Sequence, residues 1–233
     1  MKKIKTVFFV DYEIGKITRT LNKGLEWIFD EKNQDNVVAT IKKDGTSVMF
    51  KDGVLYKRYD LKPKKIKNKV FDYRKQNGMD KYLIEDFKEL PIGSIPCQET
   101  FDKITGHFPH WIKVLETNPE DIHHLNALKK YGVQEDGTYE LIGKFIGDNK
   151  HKLDDIQFFK HGDLLADLPK PYTFESIYHW VLNNDEEGIV FHDLKTGEMA
   201  KIRKKDFINT DKVDDRISWI LLKKDDYLTL DEI

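Results

Sequence analysis

What the chain has little of bounds its chemistry. Cys97 is the single cysteine in 233 residues, so no intramolecular disulfide can form, and a reducing interior is the natural compartment. His107 and His110, and the adjacent His123 and His124, have no cysteine pair to join, which argues against a structural zinc. Long apolar runs are missing: residues 7–10 are hydrophobic, but Asp11 follows at once, far short of a membrane span. A cytoplasmic protein without a targeting segment is expected. Excess charge of one sign is missing too, with 39 Lys and Arg against 41 Asp and Glu, a net of -2 that neither favours nor excludes a polyanionic partner. There is no internal repeat and no Pro-rich or Gly-Ser linker, so a single domain over 1–233 is expected, with 208–233 as a short C-terminal tail of mixed polarity.

What is present is a folding composition, 39% hydrophobic and 12% aromatic. Strand-like pieces at 37–41, 46–50 and 54–59 are separated by Asp44-Gly45 and Asp52-Gly53, which reads as a β-meander. Asp136-Gly137 before 138–146, and Thr196-Gly197 between 188–191 and 199–202, read as further hairpins. Residues 119–131 have acidic residues in their first turn and stop at Gly132, the pattern of a capped helix. Helical spacing recurs in Phe174, Ile177, Val181 and Leu182, with Thr173 as N-cap. The segment 62–79 is basic with little periodicity and is expected to be an exposed loop or to order on a ligand. The fold class is α+β: antiparallel β-sheets packed together with flanking helices, and a ligand cleft between the sheets.

Thr40-Ile41-Lys42-Lys43-Asp44-Gly45 ends a hydrophobic strand with a lysine just before an Asp-Gly turn. Alone, this is more often a hairpin than a site. A lysine that attacks the α-phosphorus of a nucleotide must shed its proton, which apolar surroundings and neighbouring cations favour. Such cations stand at Lys201 and Arg203: on a strand they share one face while Ala200 and Ile202 take the other. A basic edge strand is the plainer reading of that run. Glu187 opens the strand 188–191, where a carboxylate can support a divalent metal. Arg58 can pair with phosphate or ribose oxygens, and Glu140 can accept from ribose hydroxyls. Lys62, Lys64, Lys65 and Lys67 form a local cationic run able to track phosphates, or a solvated surface.

In order, Lys42-x-Asp44-Gly45, Arg58, Tyr139-Glu140, Glu187-Gly188 and Lys201-x-Arg203 resemble the successive motifs of the covalent nucleotidyltransferases, which include RNA ligases, DNA ligases and mRNA capping enzymes. The nearest resemblance is to the RNA ligase 1 family of small 5′-to-3′ RNA ligases. It extends from Gly24 to Phe207 through Gly24-Leu25-Glu26-Trp27, Ile95-Pro96-Cys97-Gln98-Glu99, Thr105-Gly106-His107, Trp111, Tyr139 to Gly143, Glu187 to Phe191 and Ala200 to Arg203. The resemblance implies a nucleotidyltransferase domain that binds ATP through Thr40, Ile41, Lys42, Asp44, Gly45, Arg58, Glu140, Glu187, Lys201 and Arg203. Lys42 would be the AMP-accepting nucleophile, with Lys201 and Arg203 at the α-phosphate. Glu187 and Glu140 would support Mg²⁺ or Mn²⁺. Either Phe158 or Phe159 would stack on adenine, with Phe159 taken as the candidate. Arg58, Lys62, Lys64, Lys65 and Lys67 would meet RNA. Arg203 departs from the two lysines usual in the last motif.

The implied activity is ATP-dependent joining of RNA 5′-phosphate and 3′-OH ends by a monomer. The rivals are a DNA ligase or capping guanylyltransferase, which commonly add an OB-fold domain not expected here, and a non-catalytic RNA-binding module.

Overall fold

The structure, a computed structural model, describes residues 4–11, 16–103, 106–207 and 227–228. The strands are β1 (Lys5–Thr6), β2 (Phe8–Asp11), β3 (Lys16–Asn22), β4 (Val37–Lys42), β5 (Thr46–Lys51), β6 (Val54–Leu61), β7 (Ile95–Pro96), β8 (Phe108–Lys113), β9 (Gly137–Gly143), β10 (Ile156–Lys160), β11 (Gly188–Asp193), β12 (Met199–Arg203) and β13 (Tyr227–Leu228). The α-helices are α1 (Asn68–Gln76), α2 (Ile122–Tyr131), α3 (Phe174–Asn183) and α4 (Lys204–Phe207). The protein is α+β, and the described chain forms two compact units, Gly45–Lys160 and a second made of Ile4–Asp44 with the residues from His161 onward. No described helix is long and apolar enough to cross a membrane. Apart from Tyr227–Leu228, the expected tail 208–233 lies outside the described residues.

In the discontinuous unit, four strands run in the order β1-β12-β11-β4 and three in the order β13-β3-β2. The expectation of purely antiparallel sheets is corrected here, because β1 lies parallel to β12. Alternation decides which residues face inward: Val37, Ala39, Ile189, Phe191, Ala200 and Ile202 join Ile177 and Val181 of α3 in one core. Ile177 and Val181, four apart on α3, put one stripe of that helix into the core. Its start is fixed by a reciprocal box in which Thr173 Oγ1 accepts from Ser176 N and Ser176 Oγ accepts from Thr173 N.

In the continuous unit, six antiparallel strands run in the order β10-β9-β5-β6-β8-β7. One face is closed by Val48, Phe50, Leu55, Tyr139, Leu141 and Ile156 with Ala127 of α2. Phe50 meets Tyr139 and Phe158 edge-on, at centroid distances of 5.5 and 5.1 Å. A short 3₁₀ turn, Pro119–Asp121, precedes α2, which ends at Gly132 as its sequence predicts.

Three sequence expectations change. Asp52-Gly53 is a true hairpin turn, with both residues at positive φ and Lys51 opposite Val54. Asp44-Gly45 is not: β4 pairs with β11, while β5 pairs with β6 and β9, so the expected meander is broken and this dipeptide carries the chain from one sheet to another. Asp136-Gly137 leads from α2 into β9, and the Asp136 carboxylate accepts from Asp52 N at 3.0 Å. The third change is α1, within the stretch expected to be a loop. It is held by tertiary contacts: Arg74 clasps Asp86 through two hydrogen bonds, 2.6 and 2.9 Å, and Phe71 meets Tyr82 edge-on.

Candidate functional site

The register of β4, β11 and β12 assembles a polar face opposite the core. Lys42, Gly188 and Arg203 form one row across the three strands, and Thr40, Val190 and Lys201 form the next. With a side-chain period of two, Lys42, Thr40, Lys201 and Arg203 therefore share one face. Ala200 and Ile202 are fully buried on the other side, so the predicted alternation of this run is observed. The edge-strand alternative is overturned, because β12 lies between β1 and β11.

Gly188 sits between Lys42 and Arg203 because nothing larger fits: a Cβ there would lie 2.0 Å from the Ile202 carbonyl oxygen. Gly45 is required for the same reason, since its Cβ would meet the Leu141 carbonyl oxygen at 2.2 Å. The glycine of the Lys-x-Asp-Gly motif thus serves close backbone approach rather than a hairpin.

Three cations and three carboxylates pair around the end of these strands. Lys42 Nζ donates to Glu187 Oε2 and, at 3.4 Å, to the carbonyl oxygen of Lys43. Beside it, Lys43 Nζ donates to Glu186 Oε1 at 2.6 Å. Arg203 is clasped by Asp206 of α4, with Nε 3.0 Å from Oδ2 and Nη2 2.7 Å from Oδ1. Burial works against the guanidinium proton, yet the hydrogen bonds from Asp206 and the charges of Asp206 and Glu187 outweigh it, raising the Arg203 pKa.

Lys201 is different. Burial, then the nearby charges of Arg203 and Lys42, pull its amine down to about 8, against the opposing carboxylates of Glu187 and Asp206. Among the described residues Lys42 and Arg203 have carboxylate partners and Lys201 has none. One positive charge on this face is left to attract an anion.

Farther along the same face, Thr40 Oγ1 lies 2.8 Å from His192 Nε2. Burial, and then the charge of His161, hold the imidazole below its ordinary pKa. His192 and Asp206 escaped the sequence reading. The alternation Gly188, Val190, His192 could have flagged the first, and the Arg203-x-x-Asp206 spacing the second.

Arg58, Glu140 and Phe159 belong to the six-stranded sheet, on β6, β9 and β10. Phe159 lies opposite Glu140, and Glu140 opposite Ser47, whose Oγ donates to Glu140 Oε2 at 2.9 Å. Continuing the Val48–Lys57 register by one residue aligns Arg58 with Ser47, and Arg58 is paired with Trp111. Phe159, Glu140, Arg58 and Trp111 therefore lie along one cross-strand row, about 14 Å from Phe159 to Arg58 at the usual strand spacing. Phe158 has the opposite parity and packs into the core against Phe50. Of the two phenylalanines, only Phe159 shares the face of Glu140. Arg58 lies over the Trp111 ring, 5.8 Å from its centroid. Lys62, Lys64, Lys65 and Lys67 follow β6; Lys62, Lys64, Lys65 and Lys67 are all exposed.

No group of three or more His, Cys, Asp or Glu side chains gathers among the described residues as a ready-made metal cage. A magnesium ion that keeps its waters and takes most other ligands from phosphate needs only one or two carboxylates, a role that fits the chemistry of Glu187. No protein-family model matches the chain, and no curated protein matches it.

Proposed function

We propose that the chain is an ATP-dependent RNA ligase of the RNA ligase 1 type that works through a lysyl-AMP intermediate. The observation carrying this reading is the register that sets Lys42, Lys201 and Arg203 around Gly188 on one face, with Glu187 against the Lys42 amine. Lys42 Nζ attacks the α-phosphorus of ATP, a phosphorus–nitrogen bond forms, and pyrophosphate leaves with the electron pair of the broken phosphorus–oxygen bond. Glu187 is positioned to hold the amine before attack. Lys201 and Arg203 stabilise the charge that builds on the α-phosphate oxygens. Arg203 is kept in place by its two-pronged contact with Asp206.

AMP then passes to an RNA 5′-phosphate, and an RNA 3′-hydroxyl displaces it. Glu140 and Phe159, neighbours across two strands, suit a ribose and a base: a carboxylate to accept from hydroxyls beside a ring to stack. A divalent cation, Mg²⁺ or Mn²⁺, would be held by Glu187 and would screen the charge of the phosphates.

Incubation with ATP and Mg²⁺ is expected to give a protein heavier by one adenylate, with the label on Lys42 in tandem mass spectrometry. Lys42→Ala is expected to abolish the adduct. An unmodified wild-type protein would remove the reading, and label from GTP in place of ATP would favour a capping guanylyltransferase.

A further inference from the structure

We propose that His192 selects the base of the nucleotide, its ring nitrogen Nδ1 accepting a hydrogen bond from the 6-amino group of adenine. The inference rests on the ligase reading and adds to it the residue that tells ATP from GTP.

A single sheet sets the placement. β4, β11 and β12 and the segment 161–166 all belong to the discontinuous unit. Ile41 N donates to the Leu164 carbonyl at 2.8 Å and Ala166 N to the Ala39 carbonyl at 2.9 Å, so residues 164–166 lie along the outer edge of β4. There Thr40 is bridged to Leu165, antiparallel; Thr40 is paired with Val190, and Val190 with Lys201. Residues opposite one another across a sheet share a face, so Leu165, Thr40, Val190 and Lys201 make one row. The next row is Val38, His192 and Met199.

This face changes character along its length. At one end Lys42 and Arg203 flank Gly188, with Lys201 in the adjoining row. β4 ends at Lys42 and β12 at Arg203, so the strands run on only in the other direction, toward Thr40 and His192. There the cations give way to apolar side chains: Val190 is half-buried and Leu165 is 68% exposed. Gly188 and His192 are four residues apart on β11, about 14 Å along the strand. The His192 ring leans back to Thr40, which shortens that span to the reach of a nucleoside monophosphate. Cations, then an apolar surface, then one hydrogen-bonding group follow the order of a purine nucleotide: phosphate, plane of the base, edge of the base.

The hydrogen bonds around the ring decide which edge it accepts. Thr40 Oγ1 lies 2.8 Å from His192 Nε2 and 3.3 Å from the Val190 carbonyl oxygen. A carbonyl only accepts, so the hydroxyl donates to Val190 and its oxygen accepts from Nε2–H. In the neutral imidazole the lone pair then stands on Nδ1. Burial, and then the charge of His161, hold the ring below its ordinary pKa and so in that neutral form. His192 is half-buried, and Nδ1 has no hydrogen-bond partner among the described residues. An acceptor here matches the 6-amino group of adenine and opposes the 6-carbonyl oxygen of guanine, which is itself an acceptor.

The test is lysyl-nucleotide formation by the full chain, followed by intact-protein mass spectrometry under single-turnover conditions. The nucleotides are ATP, GTP and the triphosphate of purine riboside, which lacks the 6-amino group. Wild type is expected to favour ATP over the purine analogue by about 10- to 10²-fold in kcat/KM, with GTP weaker still. His192→Leu, which has no acceptor, is expected to bring the ATP-to-analogue ratio close to one, chiefly through a higher KM for ATP. His192→Lys, which can only donate, is expected to raise GTP use relative to ATP above the wild-type ratio. Nitrogen NMR of the wild-type ring is expected to find the proton on Nε2. Ratios unchanged in both variants, a wild type that uses ATP and the analogue alike, or a ring protonated on Nδ1 would overturn the proposal and leave the lysyl-AMP reading standing. A wild type that forms no lysyl adduct with any of the three nucleotides would remove the ligase reading and this inference with it.

Discussion

Lys201 is the side chain for which burial and repulsion act together. Its amine falls from the ordinary 10.5 to about 8 in the folded protein. Below 8 both folded and unfolded chains carry the proton, and the fold bears the full penalty of holding it among Arg203 and Lys42. Between 8 and 10.5 the unfolded chain binds more protons than the folded one, so this residue's contribution to stability rises with pH. Lys201→Met is therefore expected to stabilise the protein at neutral pH by roughly 1–2 kcal/mol, discounted because the amine keeps some solvent contact. The gain should shrink as pH rises through that window. Denaturant unfolding of both proteins at several pH values measures it, and a gain independent of pH would show that the amine is not the cause. The side-chain direction behind this was legible in the sequence, since Met199-Ala200-Lys201-Ile202-Arg203 alternates polar with apolar. Asp206 as the clasp on Arg203 was not, because its value depends on α4 folding back at the strand's end.

At the scale of elements, what could be read locally was read well and what depended on distant partners was not. α3 was visible because Thr173, Ile177 and Val181 carry cap and stripe within one segment. α1 was invisible because its own sequence offers almost no stripe, and its anchor, Asp86, lies outside it. The Arg74–Asp86 pair is about nine-tenths buried. Removing one partner strands the other charge, so Arg74→Ala is expected to cost about 3 kcal/mol and to release the amides of residues 68–76 to fast exchange, read by hydrogen exchange and mass spectrometry. The hydrogen bonds from Arg74 hold the Asp86 carboxyl below the usual range despite its burial. Stability from the pair is thus present above the ordinary carboxylate pKa and is lost only as pH falls through the lowered one. Exchange of this helix in the wild type should accordingly stay slow into mildly acidic solution. The pairing of β4 with β11 was hidden in the same way, since Asp44-Gly45 carries a strong local turn signal and the true partner lies far downstream.

Over the whole molecule, net charge is a poor guide to partners. The total is -2, yet Lys62, Lys64, Lys65 and Lys67 concentrate cations on one short exposed segment. If that segment follows a phosphate backbone, RNA binding should weaken with salt despite the acidic total. Replacing all four lysines by serine should reduce the slope of log K against log salt by up to about 0.7 per contact for single-stranded RNA. Fluorescence anisotropy with a labelled oligonucleotide at several salt concentrations reads the slope, and an unchanged slope would assign these lysines to a merely solvated surface.

The connectivity that hid β11 from β4 also sets an order of events during synthesis. The strand bearing Lys42 leaves the ribosome with its pairing edge open, and 145 residues must follow before Glu187 exists. At about 5–20 residues per second, that is a wait of roughly 7–30 s. The intervening stretch, Gly45–Lys160, is contiguous and can fold meanwhile. A nascent chain cut short anywhere in between would display the Lys42 amine without the Glu187 carboxylate that holds it in the folded protein, so the polar face of β4, β11 and β12 is assembled only when the last strands emerge.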